Sequence, residues 1–451
     1  MKNKKKGELP LQEKLTAAYL AALLGLYLLY PGLGGYMTIT TQKWHCYALL
    51  TLAYLLLMLL LPLETVLIGE GSLVKPRALW ERLALPQKLI FGYWLCTAAS
   101  TVLSIDRRTA FWGSGRCEGF LAITLYCGSF LLISVYAKPK KWMLWVFGAA
   151  MSLCCVLALI QLAGYNPLRL YPEGMTYFDA YKRYAGEFLG TLGNVDLLSA
   201  VLGMAIPAFW VALLVLRDKR RFALLVPLCL CLYVLLRAFV AAGVVSVIGT
   251  ALLVPPVLAK EKRRRLTLAA LSLFLIAAGL LTVYLFGERL GGFVAEASAL
   301  LHGQWDDSFG TGRLYIWRNV VPLIPERLLF GGGPDTLGLR LDAVFERFDP
   351  ALGITIRSTI DAAHNEYLNV LVNQGLLAFL CYLAALFSAA VYWVRHASHD
   401  PVTAICGGAV LGYCIQAFFG LSSPITTPYL YLALALGMRE TANTDNRRKR
   451  S

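Results

Sequence analysis

Asp361-Ala-Ala-His364-Asn365-Glu366-Tyr367-Leu368 closes a long polar stretch and opens an apolar run that continues to about residue 394. A run of that length is what a membrane-spanning helix needs, so the octapeptide reads as a helix mouth with a histidine in it. Working outward, the same kind of apolar block recurs along the 451 residues, of which 58% are hydrophobic and 15% charged. The expected spans are 15–34, 46–68, 89–104, 118–136, 142–164, 194–216, 222–236, 239–259, 266–286, 366–394, 402–420 and 426–438. The fold class is therefore an all-α integral membrane protein of about twelve transmembrane helices, with a large helical loop between the ninth and tenth. The domains are 1–286 (helices 1–9), 287–363 (loop with short amphipathic helices), 364–438 (helices 10–12) and 439–451 (basic tail). Lys2, Lys4, Lys5 and Lys6 before the first apolar run imitate a signal peptide, but no small-residue cleavage site follows, and the segment reads as an uncleaved first helix.

A formal charge of +15 raises the question of nucleic acid. With both termini placed in the cytoplasm, the inner segments hold 27 of the 42 Lys and Arg residues; seven of the 15 outer ones lie in the one long loop, which the orientation rule discounts, so the short segments divide 27 to 8. The basicity is topological, and no nucleic-acid partner is expected. The protein is expected in a bacterial cytoplasmic membrane, multi-pass, with the 287–363 loop outside. The eleven cysteines, including Cys154–Cys155 and the close pair Cys229 and Cys231, fall in or beside expected spans and read as packing residues, not as a disulfide or metal framework.

Three outer segments stand out. Ser104–Arg116 carries Arg107, Arg108 and Arg116 on the side where positive charge is disfavoured. Residues 165–193 are rich in tyrosine, which suits either an interfacial belt or a stacking platform for sugar rings. The 287–363 loop has seven arginines and no lysine; arginine's planar fork suits phosphate oxygens, although ten carboxylates in the same loop would pair with it equally well. Within it Thr311 is expected to cap a helix from Gly312 to Val321, with Arg313 and Trp317 on one face and Arg318 on another. Gly331-Gly332-Gly333-Pro334-Asp335 reads as a tight turn, and Leu337–Phe348 as an amphipathic helix on the membrane surface.

Of five histidines, only His364 has acidic, amide and aromatic neighbours in one short outer segment. With Asp361 as N-cap it would stand at the third helical position, where the helix dipole disfavours imidazolium and leaves a neutral, proton-accepting ring. Arg237, between two apolar runs at a tight hairpin, is the other anomaly: it either snorkels to the interface or binds a partner.

In order, Gly310-Thr-Gly-Arg313-Leu-Tyr-Ile-Trp317-Arg318, Phe330-Gly-Gly-Gly333, His364-Asn365-Glu366-Tyr367-Leu368 and Asn373-Gln-Gly375 resemble the O-antigen ligase and polymerase superfamily. Ser104-Ile-Asp-Arg-Arg, Trp112-Gly113, Glu118-Gly119, Leu192-Gly-Asn194 and Ile206-Pro207 extend the resemblance over most of the chain. It implies a membrane glycosyltransferase of cell-surface polysaccharide biosynthesis in the cell envelope, moving a glycan from an undecaprenyl-pyrophosphate carrier to a glycan or lipid acceptor hydroxyl, without metal or cofactor. It also implies His364, Arg313 and Arg237 as catalytic residues, although Leu236 and Ala238 stand where the family has serine and glycine around its arginine. Arg318, Trp317, Arg107, Asn365 and Tyr367 are expected to bind substrate. A polymerase of the same superfamily, a lipid-glycan flippase or transporter, and a membrane scaffold are the alternatives; the flippase is disfavoured because the expected span cores are almost free of charge.

Overall fold

A computed structural model describes residues 10–67, 80, 83–180, 185–341, 343–349 and 354–438. The amino-terminal lysines, Lys75, Arg77, Arg82, Tyr181, Tyr184 and the tail from 439 lie outside the described residues. The helices are α1 (Leu11–Ala21, widening into a π-turn to Tyr27), α2 (Ile39–Leu67), α3 (Leu85–Val102), α4 (Arg107–Trp112), α5 (Phe120–Tyr136), α6 (Lys141–Leu162) and α7 (Val195–Val215). They continue as α8 (Leu225–Ala238), α9 (Ala241–Leu258), α10 (Lys262–Leu290), α11 (Gly292–Leu301), α12 (Phe309–Val320), α13 (Glu366–His396), α14 (Pro401–Ala417) and α15 (Thr427–Gly437).

Each of the twelve expected apolar segments falls on one of these helices. Among the described residues, seven are long and apolar enough to cross a membrane by length and composition: α2, α6, α7, α8 with the turn before it, α9, α10 and α13. Their environments follow their compositions. Apolar on every side, α7 is enclosed along most of its length, as a helix without a polar face must be. At the periphery, α10 buries only Ser272 and Gly287. Inside the bundle hydroxyls pair across helices, as Thr16 does with Tyr54 and Tyr19 with Thr51, both at 2.9 Å; without water nearby such groups must find protein partners. Lys43, at the start of α2, is fully buried. Its ammonium donates to the Tyr27 and Leu28 carbonyls at 2.7 and 3.0 Å, where the end of α1 leaves acceptors unpaired. All eleven cysteines are free thiols.

One helix is broken. In α13, Gly375 has φ +83° and ψ 174°, so the chain runs helically from Glu366 to Gln374, steps out, and resumes. The segment Leu328–Gly333 fills the gap: Leu376 N–H donates to Leu328 O at 2.8 Å and Gly333 N–H to the Asn373 carbonyl at 2.7 Å. Arg340 donates to the Val372 carbonyl at 2.8 Å. Gly331 and Gly375 meet backbone to backbone, and a Cβ on either would overlap the opposite chain. The glycine run is thus a plug that satisfies the carbonyls freed by the break.

Two expectations for the loop are corrected. Leu337–Phe348 is not a helix: it is a short turn at Leu337–Leu339 followed by strand β3 (Val344–Asp349), which pairs antiparallel with β4 (Ile354–Thr359) in the register Val344 opposite Thr359. The β-branched residues of Ile354-Thr-Ile356 favour extended backbone, and pairing with them outweighs the helical periodicity of the first strand. A two-residue ladder, β1 (Phe188–Leu189) with β2 (Gly193–Asn194), precedes α7. The all-α reading is therefore qualified by two small hairpins. Thr311 is not a helix cap either. Gly310, Thr311 and Gly312 all have left-handed backbone, and the regular part of α12 begins only at Arg313.

Candidate active site

Asn365 caps α13, its side chain accepting from Leu368 N–H at 3.0 Å. The expected cap, Asp361, lies four residues too early, and His364 consequently stands outside the helix with φ +47°. A left-handed non-glycine residue is uncommon and has to be held there by its surroundings. Trp317 Nε1 donates to the Ala363 carbonyl at 2.9 Å, and Ala363 N–H donates to Asn369 at 3.2 Å, so Ala363, the residue before His364, is clamped on both sides. The rest of the motif turns away. Both oxygens of Glu366 accept from buried tyrosines, Tyr382 and Tyr413, at 2.6 Å, and Tyr367 donates to the Cys414 carbonyl at 2.8 Å.

His364 borders a pocket of about 420 Å³ that it shares with Arg313, Arg116, Asp196, Glu187 and Gln416. One side of the pocket includes the rings of Tyr36 and Phe188, which stack with centroids 5.4 Å apart. Arg313 reaches it because the left-handed turn Gly310–Gly312, in the first turn of α12, folds its side chain back. Nε donates to the Phe419 carbonyl at 2.9 Å, and Nη1 donates to the Gly310 carbonyl at 2.7 Å and to Thr311 Oγ1 at 2.6 Å.

Arg116 is the member that sequence reasoning left out of the site. It lies in the turn between α4 and α5, and both sides of that turn are pinned to Asp335, whose Oδ2 accepts from Ser114 N–H at 2.6 Å and from Glu118 N–H at 3.3 Å. Burial raises the Asp335 carboxyl, and those two backbone donors oppose the rise. Arg116 then grips Asp361 through Nε at 2.9 Å and Nη2 at 2.6 Å. The Gly331–Asp335 segment therefore does two things at once: it plugs the break in α13 and it aims the turn that carries Arg116. In the sequence Arg116 stands out only as one of the three arginines of the Ser104–Arg116 segment.

Electrostatics follow from this geometry. Burial, then the positive charges of Arg116 and Arg313, push the His364 imidazole down to about 3, with Asp361 opposing them. The ring is neutral at ordinary pH, and the two guanidiniums present positive charge to whatever enters the pocket.

The remaining expected residues are elsewhere. Arg237 is exposed at the end of α8 and does not border this pocket. Arg318 pairs with Asp307 at 2.6 Å and lies over the Tyr315 ring. Arg107 donates to the Val102 carbonyl at 2.9 Å on an exposed edge. Trp317 and Asn365 hold the histidine segment in place, and Tyr367 ties α13 to α14.

No curated protein matches the chain. Residues 198–383 match the family model described as O-antigen ligase, a stretch that includes Arg313 and His364 and ends within α13 beyond its break. That match covers the segment that holds the histidine and one of its two arginines, and it supports a likeness of this part of the chain to the O-antigen ligase and polymerase superfamily.

Proposed function

We propose that this protein transfers a glycan from an undecaprenyl-pyrophosphate carrier to an acceptor hydroxyl at the outer face of a bacterial cytoplasmic membrane, with twelve spans and both termini inside. The observation that carries the reading is one pocket bordered by a neutral histidine and two arginines from distant parts of the chain. In the reaction the acceptor O–H gives its proton to His364 while its oxygen bonds to the anomeric carbon of the donor sugar. The bond from that carbon to the pyrophosphate oxygen breaks, and the electron pair leaves with the carrier. Arg313 and Arg116 stabilise the charge that develops on the leaving group. Because a polyprenyl tail stays in the bilayer, a pocket at the helix mouths is where head group and base can meet. The Tyr36–Phe188 side suits a sugar ring.

The same arginines tune the base. In the empty pocket burial, and after it these two charges, hold His364 in its neutral form but make it a weak proton acceptor. A bound pyrophosphate cancels their charge, so the imidazole gains basicity when the donor is in place. No metal or cofactor is called on, and the partners are the carrier-linked glycan, a glycan or lipid acceptor, and membrane lipid.

The test is purified protein given an undecaprenyl-pyrophosphate oligosaccharide with and without acceptors. A single adduct indicates a ligase and a ladder a polymerase. Movement of the lipid across the bilayer without a covalent product would replace the proposal with a flippase.

A further inference from the structure

A second void lies at the other end of the bundle. His364 is at the start of α13, whereas this void is at the end where α7 and α15 finish and α6 and α14 begin; Thr403 on α14 donates to the Gly437 carbonyl at 2.9 Å there, and Lys141 meets Asp218 at 3.0 Å. It holds about 340 Å³ between α6, α7, α14 and α15. Its interior is apolar, lined among others by Val201, Met204, Ala208, Ile405 and Leu432, none with a charge to satisfy. Along α7 it runs from Val201 to Leu216, roughly 22 Å at about 1.5 Å per residue. That exceeds the ~15 Å hydrocarbon depth of one leaflet, half of a core about 30 Å thick. Its length and apolar lining suit an acyl chain.

The mouth has a different chemistry. Lys140, Lys141, Arg221 and Asp218 border it. Asp218 is taken by Lys141, and the surplus positive charge belongs to Lys140 and Arg221. Arg221 donates through Nη1 to the Leu216 carbonyl, but its Nε is buried without a hydrogen-bond partner among the described residues. A buried guanidinium donor left open at the top of an apolar slot is costly unless an acceptor sits there. The same end carries Lys138, Arg217, Lys219, Arg220 and Arg395, the basic loops that the orientation rule places in the cytoplasm.

We propose that this groove is a binding site for one anionic glycerophospholipid of the cytoplasmic leaflet, an acyl chain in the slot and the phosphate between Lys140 and Arg221. A basic pocket between helices at that face is the arrangement that recognises an anionic head group. The site is separate from the His364 pocket and does not depend on the reaction proposed for it.

The experiment is a lipid competition on the detergent-purified full-length protein, read by native mass spectrometry. Phosphatidylglycerol, phosphatidylcholine of the same chain lengths and undecaprenyl phosphate are supplied in equal amounts. Phosphatidylglycerol should be retained over phosphatidylcholine by about fivefold or more, the size of roughly 1 kcal/mol from one basic residue. Lys140→Gln with Arg221→Gln should erase the preference, and Met204→Trp, which fills the slot, should lower retention of both glycerolipids. Equal retention of the two by the native protein overturns the site, as does an unchanged preference in the Lys140→Gln/Arg221→Gln variant or unchanged retention of both glycerolipids in Met204→Trp. Preferential capture of undecaprenyl phosphate would assign the groove to an isoprenoid and equally overturn it. The native-protein competition decides the question even if a variant fails to fold.

Discussion

Arg116 and Asp361 are 245 residues apart in the chain and form a two-pronged ion pair, Nε to Oδ2 at 2.9 Å and Nη2 to Oδ1 at 2.6 Å. The pair fixes an arginine beside His364 and explains why Asp361 does not cap the helix that follows. A fork-to-fork geometry of this kind is one that lysine cannot reproduce.

If His364 is the base, His364→Gln should lower transfer by about 10²–10⁴-fold. Among the described residues the side chain makes no structural hydrogen bond comparable with those of Trp317 or Asn365, so the variant should insert in the membrane at native levels. Product formation from the purified variant, normalised to inserted protein, is the measurement; a rate near that of the native enzyme would remove His364 from the mechanism.

The acid side of the pH profile should report the pocket charges. Protonated His364 cannot accept a proton, so activity falls as pH drops through its pKa, which lies at about 3 in the empty pocket. Donor binding neutralises Arg116 and Arg313 and should move the acid limb of kcat to higher pH than that of kcat/KM. Arg116→Gln removes one suppressing charge and should move the kcat/KM limb upward. Asp361→Asn removes the opposing one and should move it down. Shifts of the same sign in both variants would contradict this assignment.

Arg313 and Arg318 lie five residues apart in one helix and should behave differently. Arg313→Ala removes a cation from the pocket and should cost about 10²–10³-fold in kcat/KM. Arg318→Ala loses an exposed pair with Asp307, an interaction worth about 0–1 kcal/mol, and should leave activity within about twofold. Steady-state kinetics on the two variants side by side test the difference.

Gly375→Ala tests the plug. A side chain there meets the Leu329 carbonyl and must adopt φ +83°, so the variant should lose about 1–3 kcal/mol or more of stability. A lowered thermal midpoint in detergent is expected, together with reduced activity, since the same glycine segment aims Arg116 through Asp335. A midpoint equal to the native value would show that the break tolerates a side chain.

By itself the sequence determined the apolar segments and, through the arginine-containing loop and the motif at 361–368, the prominence of Arg313 and His364. These are local quantities: a run of apolar residues is legible because burial of each residue depends mainly on its own side chain. Only the tertiary structure decided which arginines join the histidine. Arg107, Arg116, Arg237 and Arg318 look alike in a string of letters. Their roles depend on whether a distant carboxylate, carbonyl or turn captures the guanidinium; Asp361 captures the one at 116, in a turn whose backbone Asp335 holds. The cap of α13 and the hairpin after Leu341 were missed for the same reason. Each was a contest between a local preference and a partner many residues away, and the partner won because a buried polar group has to be paired.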